Sequence, residues 1–269
     1  MPADPAPCPP ISVCIVVQDT ADRIRTCLES VAWADEIVVL DSGSTDGTQA
    51  ICREFTEHVY HQPWQGYVAQ KNLCVDRARN LWILGLDADE SLSPDLVDEI
   101  RRELALHHGD ADAFRMPRMT RYLGRWIRHG SWYPDRKVRL WRKDRGRWGG
   151  EDPHDRVVIE GERIRTLRHP ILHSNYRSVS EHVRRIDRFT TIVAEGWRAR
   201  RRRFRLAAMV FRPFAKFFEL YVWKRGFLDG VPGLMIAVHT SYYAFLKQAK
   251  LWELERAPAS GSVEKQERE

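Results

Sequence analysis

The sequence predicts an α/β fold built on a Rossmann-like, mostly parallel sheet and followed by a helical C-terminal extension. Three observations carry this prediction. Short apolar, β-branched runs recur as strands, segments with helical spacing separate them, and the polar clusters of chemical interest directly follow strands. A chain of 269 residues can bury one such core and still carry an appendage. The expected division is a disordered leader at 1–10, an α/β domain at 11–170, a helical region at 171–256 and a disordered tail at 257–269.

The elements follow in order. SVCIVV, from Ser12 to Val17, reads as a strand buried on both faces, and ADRIRTCLESV then repeats apolar residues at helical spacing. EIVVL, from Glu36 to Leu40, is the second strand. It leads through the polar turn DSGSTDGT into a helix from Thr48 to Phe55. A short strand at His58 to Tyr60, a helix from Tyr67 to Ala78 and the strand LWILGLD ending at Asp87 complete the series. Beyond Ile171 the composition turns helical. In open α/β sheets ligands gather at the carboxyl ends of strands, where Asp19, Asp41 to Asp46 and Asp87 to Glu90 fall.

Composition narrows the partners. Arginine dominates the basic residues and the formal net charge is +6, which points to nucleotide phosphates, acidic lipid or nucleic acid. The five cysteines lie in the N-terminal third without a C-x-x-C pair, as in a reduced cytoplasmic protein. MPADPAPCPP lacks the basic and apolar regions of a signal peptide. VPGLMIAVHTSYYAFL carries no Asp, Glu, Lys or Arg but is too short to span a bilayer. FRPFAKFFELYVWKRGFLDG interleaves aromatic and basic residues like an interfacial helix. With Arg198 to Arg205, Arg212, Lys216, Lys224 and Arg225 it predicts peripheral attachment to an anionic membrane surface.

The most informative segment is L-D-A-D-E, Leu86 to Glu90. Asp87 and Asp89, one residue apart on extended backbone, project to the same side and can share one cation or divide between cation and ribose. Mg2+ and Mn2+ suit such oxygen ligands, and a nucleotide diphosphate would complete the shell. DSGSTDGT combines small hydrogen-bonding residues with two glycines, so backbone can approach a ligand closely; the same residues also serve as a helix cap. Q-D-T-A-D-R stands where a dinucleotide fold needs G-x-G-x-x-G, which disfavours hydride transfer.

CIVVQD, WADEIVVLDSGSTDGT, GYVAQKN and WILGLDADE, in this order, resemble the family 2 glycosyltransferases, inverting enzymes of the GT-A fold. HGSWYPDRKVRLWR, PHD, LHSNYRSVSEH and KRGFLDGVPGL are similar to a branch that adds a sugar, often glucose, to the lipopolysaccharide inner core. The resemblance implies nucleoside contacts for Asp19 and Asp41, a basic position near the nucleotide for Lys71, a ribose or metal contact for Asp87 and the main metal ligand in Asp89. It also implies a nucleotide-sugar donor, UDP-glucose in the first instance, and a lipid-linked glycan acceptor at the inner face of the cytoplasmic membrane.

Glycosyl transfer passes through an oxocarbenium-like transition state, so charge is managed at both the departing diphosphate and the attacking hydroxyl. The base belongs on a separate segment from the metal acids, and G-G-E-D-P-H-D offers Glu151, Asp152 and Asp155. The resemblance to the inner-core branch, which matches His154-Asp155 to a recurrent His-acid pair, ranks Asp155 slightly ahead of Asp152. His154 is either a metal ligand, an orienting donor or a structural turn residue. Trp132, Tyr133 and Asp135 form a candidate acceptor platform, although the aromatics also suit a packed core. Two rival readings are a nucleic-acid-binding protein, motivated by the arginine run, and a nucleotidyltransferase on a related sheet. The first leaves Asp87 and Asp89 unexplained, so no nucleic-acid partner is expected. The second lacks a Gly-rich basic loop after the first strand.

Overall fold

The computed structural model describes residues 8–151 and 154–256, which divide into two compact units. One comprises the chain up to Arg121 together with Tyr133–Asn175; the other comprises Tyr122–Trp132 and the chain from Tyr176 onward.

The first unit opens with β1 (Ile11–Val17), α1 (Ile24–Val31), β2 (Glu36–Asp41), α2 (Thr48–Arg53), β3 (Val59–His61), α3 (Tyr67–Arg77) and β4 (Trp82–Asp87). β5 (Glu90–Leu92), α4 (Pro94–His107) and β6 (Ala113–Tyr122) follow. The sheet path runs β3, β2, β1, β4, then β8 (Asp135–Arg142), β6, β12 (Ile171–Tyr176) and β5. β3, β2, β1 and β4 are parallel, whereas β8 is antiparallel to both β4 and β6. A hairpin of β9 (Gly146–Glu151) and β10 (His154–Ile159) forms a second sheet, and β11 (Ile164–Thr166) pairs with β6.

The period-2 alternation of a strand splits this core into two layers. Ile11, Val13, Ile15 and Val17 face α1 and α4, meeting Ile24, Leu28, Leu96 and Ile100. Cys14, on the other face, joins Val38, Leu40, Cys74, Val75, Trp141 and Trp148. α1 buries Ile24, Cys27, Leu28 and Val31, the spacing of one helical face. α4 begins with Ser93 capping Leu96 N–H and Pro94 in the first turn. Of the five cysteines, all unpaired, Cys14, Cys27, Cys52 and Cys74 are buried as small apolar fillers and Cys8 is exposed.

The segment from Ile171, expected to be helical, first forms β12. Ile171 and His173 are buried while Ser174 is exposed, and β12 pairs antiparallel with β5, so cross-strand pairing decides the local structure.

The second unit contains β7 (Arg125–Trp126), α5 (Val179–Ala199), α6 (Leu206–Phe218) and α7 (Gly230–Arg256). Ser178 caps α5 by accepting Glu181 N–H at 3.0 Å, and Glu181 accepts Arg177 N–H at 3.1 Å. A π-helical turn at Glu219–Trp223 and a 3-10 turn at Gly226–Asp229 join α6 to α7. The glycines of KRGFLDGVPGL answer close backbone approach: a Cβ on Gly233 would overlap Gly226 O, and one on Gly226 would stand 2.6 Å from Leu220 O. Asp229, buried, accepts from His129 N at 2.8 Å and Arg128 N at 3.2 Å, tying the 122–132 strap to the helices. The expected interfacial segment is therefore α6 with its two turns, while the arginine run lies at the end of α5 and in the connection to α6. No described helix is long and apolar enough to cross a membrane.

Candidate active site

Parallel register brings the strand ends together. Val17 of β1 pairs with Asp41 of β2, and Val16 pairs with Asp87 of β4, so three polar segments emerge at one edge of the sheet. Asp41 turns its carboxylate into its own loop, accepting Gly43 N–H at 3.0 Å, Ser44 N–H at 3.1 Å and the Gln49 amide at 2.7 Å. Burial pushes its carboxyl up, but these donors outweigh burial and hold it below the usual carboxylate range. Gly43, at φ 96°, supplies the left-handed turn. Asp19, exposed and itself at φ 48°, accepts Thr45 N–H at 2.8 Å, while its own N–H donates to Ser44 Oγ at 2.9 Å. The structure thus brings Asp19 and Asp41 to adjoining loops, with Asp41 shaping the turn and Asp19 at its rim.

The next stretch is a chain of alternating charges. Lys71, on α3, places Nζ 2.6 Å from Asp87 Oδ1 and 2.7 Å from Asp155 Oδ2. Arg139, on β8, reaches both Asp87 Oδ2 and Glu90 Oε1 at 2.7 Å. Arg118, on β6, continues from Glu90 at 3.2 Å to Asp135 at 2.7 Å, where Lys137 also pairs at 3.1 Å. Glu90 is buried and also accepts Asp87 N–H at 3.1 Å. Lys71 and Arg139 both lie over the Trp148 ring, at 4.2 Å and 5.2 Å. Burial alone would raise the Asp87 carboxyl; Lys71 and Arg139 outweigh it and hold the group well below the usual range. Lys71 mirrors this, since burial lowers its pKa but Asp87 and Asp155 raise it further.

Asp89 faces a different partner. His173 Nε2 lies 3.5 Å from Asp89 Oδ2, and its Nδ1 lies 3.0 Å from the Thr120 hydroxyl, which orients the ring. The β12–β5 register, His173 opposite Glu90, sets this contact. A carboxylate and an imidazole this close fit one divalent cation, with phosphate oxygens and water completing the shell. Asp87, both of whose oxygens are held by cationic side chains, fits the role of an anchored acid better than that of a metal ligand. Among the described residues no cluster of three or more potential ligands occurs.

Of the candidate bases, Asp155 is brought into the site through Lys71, and Asp152 lies outside the described residues. The acceptor trio divides. Asp135 joins the charge chain, Tyr133 is part-buried before a cis Pro134, and Trp132 belongs to the second unit. There Trp132 stacks on Tyr176 at 5.3 Å and meets Tyr122 edge-on at 5.5 Å. Sequence reasoning missed Arg139, Arg118, Glu90 and His173. Glu90 adjoins the Asp pair and His173 lies in LHSNYRSVSEH, but only strand pairing shows which residues face them.

The family model described as "Glycosyl transferase family 2" matches residues 12–159, more than half of the chain. The lipopolysaccharide core biosynthesis glycosyltransferase LpsC of Rhizobium meliloti (strain 1021) is 27% identical, over 95% of this chain and 96% of its own length. The uncharacterized glycosyltransferase RT0209 of Rickettsia typhi (strain ATCC VR-144 / Wilmington) is 29% identical, over 91% of this chain and 87% of its own. Among solved structures, residues 1–349 of S. aureus TarS align at a TM-score of 0.46 and 13% identity, covering 94% of this chain and 93% of that one. The family match, spanning β1 through β10 and with them the strand-end acids, makes this chain a member of glycosyl transferase family 2.

Proposed function

We propose that this glycosyltransferase moves a hexose, glucose in the first instance, from UDP-glucose to a lipid-linked glycan of the lipopolysaccharide-core type, inverting the anomeric centre with Mg2+ or Mn2+ bound. The observation that carries this reading is the bridge from Asp87 through Lys71 Nζ to Asp155, at 2.6 and 2.7 Å, at the carboxyl edge of the parallel strands. The bridge brings Asp155, an acid on a separate hairpin, to the same end of the sheet as Asp87, which supports a base distinct from the acid taken toward the donor. The core-type acceptor takes its support from the LpsC relative.

Asp89 and His173 would hold the metal, which supplies positive charge to the leaving diphosphate. Lys71 turns to the donor phosphates when they arrive, leaving Asp155 to accept the proton of the attacking hydroxyl. Arg139 and Glu90 keep Asp87 fixed toward the nucleotide.

The membrane reading rests on α6. Phe211, Phe214 and Trp223 are 70%, 65% and 85% exposed, and Arg212, Lys216, Lys224 and Arg225 lie among them. An apolar face flanked by cations suits an anionic bilayer surface, with the aromatics at headgroup depth.

The test measures UDP release with UDP-glucose, Mn2+ and a lipid-linked core acceptor. Asp155→Asn is expected to lower kcat about 10²- to 10⁴-fold with donor binding retained. Turnover within two-fold of wild type would remove Asp155 as the base. Asp89→Asn is expected to abolish the response to Mn2+, read by thermal shift with UDP. A preserved metal response in that variant sinks the metal assignment.

A further inference from the structure

The second unit holds a cavity of about 190 Å³ between α5 and α7, lined in part by Arg185, Phe189, Tyr243 and Tyr176. This is below the roughly 300–1,000 Å³ of pockets for drug-sized ligands, so it has room for one ring rather than a nucleotide.

Its polar groups are few and complementary. The Arg185 guanidinium lies over the Tyr176 ring at 5.0 Å, and among the described residues no carboxylate pairs with it. Asp187, two residues on, is held by Lys250 at 2.6 Å. His182 and His239, which also line the cavity, bring their Nδ1 atoms to 2.8 Å, and the Tyr122 hydroxyl lies 3.1 and 3.3 Å from the two. Burial, with the neighbouring His239, pushes His182 down to about 3, and burial also lowers His239, so both rings are neutral near pH 7. Two neutral imidazoles in Nδ1 contact share a single proton. The ring that donates it has Nε2 as an acceptor, and the ring that accepts it has Nε2–H as a donor. Neither Nε2 has a partner among the described residues. One donor, one acceptor, aromatic walls and one unpaired guanidinium converge on a small space. Hydroxyls on a ring match the first three, and an anionic substituent matches the last.

We propose that the α5–α7 cavity binds one anionic pyranose, Arg185 taking its carboxylate or phosphate and the two histidines its hydroxyls. The assignment of that sugar to the acceptor glycan rests on the function proposed above; the binding itself does not. Trp132, foreseen as part of an acceptor platform, stands behind the cavity wall through its contacts with Tyr176 and His182.

The probes are glucuronate, glucose 1-phosphate, glucose and inorganic phosphate, titrated into the full-length protein without donor or metal and followed by ligand-detected NMR. At least one anionic sugar is expected to bind ten-fold or more tightly than both glucose and phosphate, and which one does so distinguishes carboxylate from phosphate recognition. Arg185→Gln is expected to remove that preference at an unchanged unliganded Tm, and Arg185→Lys to restore part of it. Tyr243→Ala is expected to weaken both the anionic sugar and glucose by removing a wall. Equal binding to wild type and Arg185→Gln, or phosphate alone binding as tightly as its sugar ester, overturns the proposal. Because donor and turnover are absent, failure of the transferase assay above would leave a positive result standing.

Discussion

Arg139 donates to two acids from one nitrogen, is only 5% exposed, and leaves its Nε without a hydrogen-bond partner among the described residues. A buried cation so placed is poorly served on its own account, and its value lies in fixing Asp87 and Glu90 in one orientation. Replacing it with Leu leaves Glu90 buried with Arg118 as its remaining cation, at the longer distance of 3.2 Å. Breaking a buried pair costs about 3–5 kcal/mol, so Arg139→Leu is expected to lower stability by that order in a urea melt. Glu90→Gln in the same background is expected to recover part of the loss. A melt within 1 kcal/mol of wild type for Arg139→Leu, roughly the value of an exposed pair, would assign the chain of charges a surface role. None of these partnerships was visible in the linear sequence, because they join residues on β4, β5, β6 and β8 that meet only through antiparallel pairing. The position of Asp87 and Asp89 was legible because D-x-D closes an apolar run, and Asp87 indeed ends β4 with Asp89 in the turn that follows. His173 was hidden by a strand mistaken for the start of a helical region.

Elements repeat the same lesson with packing in place of charge. The parallel strands could be read from their β-branched runs, and their register then fixed where the acids emerge. β8 and the β9–β10 hairpin were less legible, since RKVRLWR and GRWGG mix charge with aromatics and owe their form to the core they close. Gly85 shows how tightly they close it: an added Cβ would meet the Trp141 and Trp148 rings at 2.9 Å. Gly85→Ala is expected to cost about 1–3 kcal/mol by overpacking, read as a lower urea midpoint at unchanged m. α6 packs along α7 without burying any residue fully, and Leu206, Val210, Phe211, Phe214 and Phe218 on it stay exposed. Phe211→Ser with Phe214→Ser is expected to cut partition onto anionic liposomes at least ten-fold while leaving Tm within about 2 °C. Unchanged partition would detach α6 from the membrane.

At the scale of the whole molecule, pH acts through two kinds of group. His182 has its folded pKa depressed to about 3, so the unfolded chain binds the extra proton as pH falls below 6.5. Its contribution is complete above that value and declines toward pH 3, by up to about 1 kcal/mol per pH unit after allowing for solvent screening. Asp87, also depressed, keeps its contribution above the ordinary carboxylate pKa and loses it at lower pH. Acid unfolding is therefore expected in two stages, the first flattened in His182→Gln and the second unchanged. A Tm that stays level from pH 7 to pH 5 in the wild-type protein contradicts the first stage. Net charge and an arginine-rich C-terminal half could be read directly from the sequence. The burial that turns one histidine neutral could not, since it depends on α5 and α7 lying side by side.

The distribution of thiols has a practical corollary. Four are sealed in the α/β core and one, at position 8, is open to water ahead of β1, so a maleimide dye added to the native wild-type protein marks a single defined point. Engineered single-cysteine backgrounds are then unnecessary for fluorescence or spin-label work, and the stoichiometry of labelling reports intactness of the core. One dye per chain means a closed interior. Two further equivalents taken up on warming or acidification report a layer that has come apart, Cys27 and Cys52 belonging to one and Cys14 and Cys74 to the other.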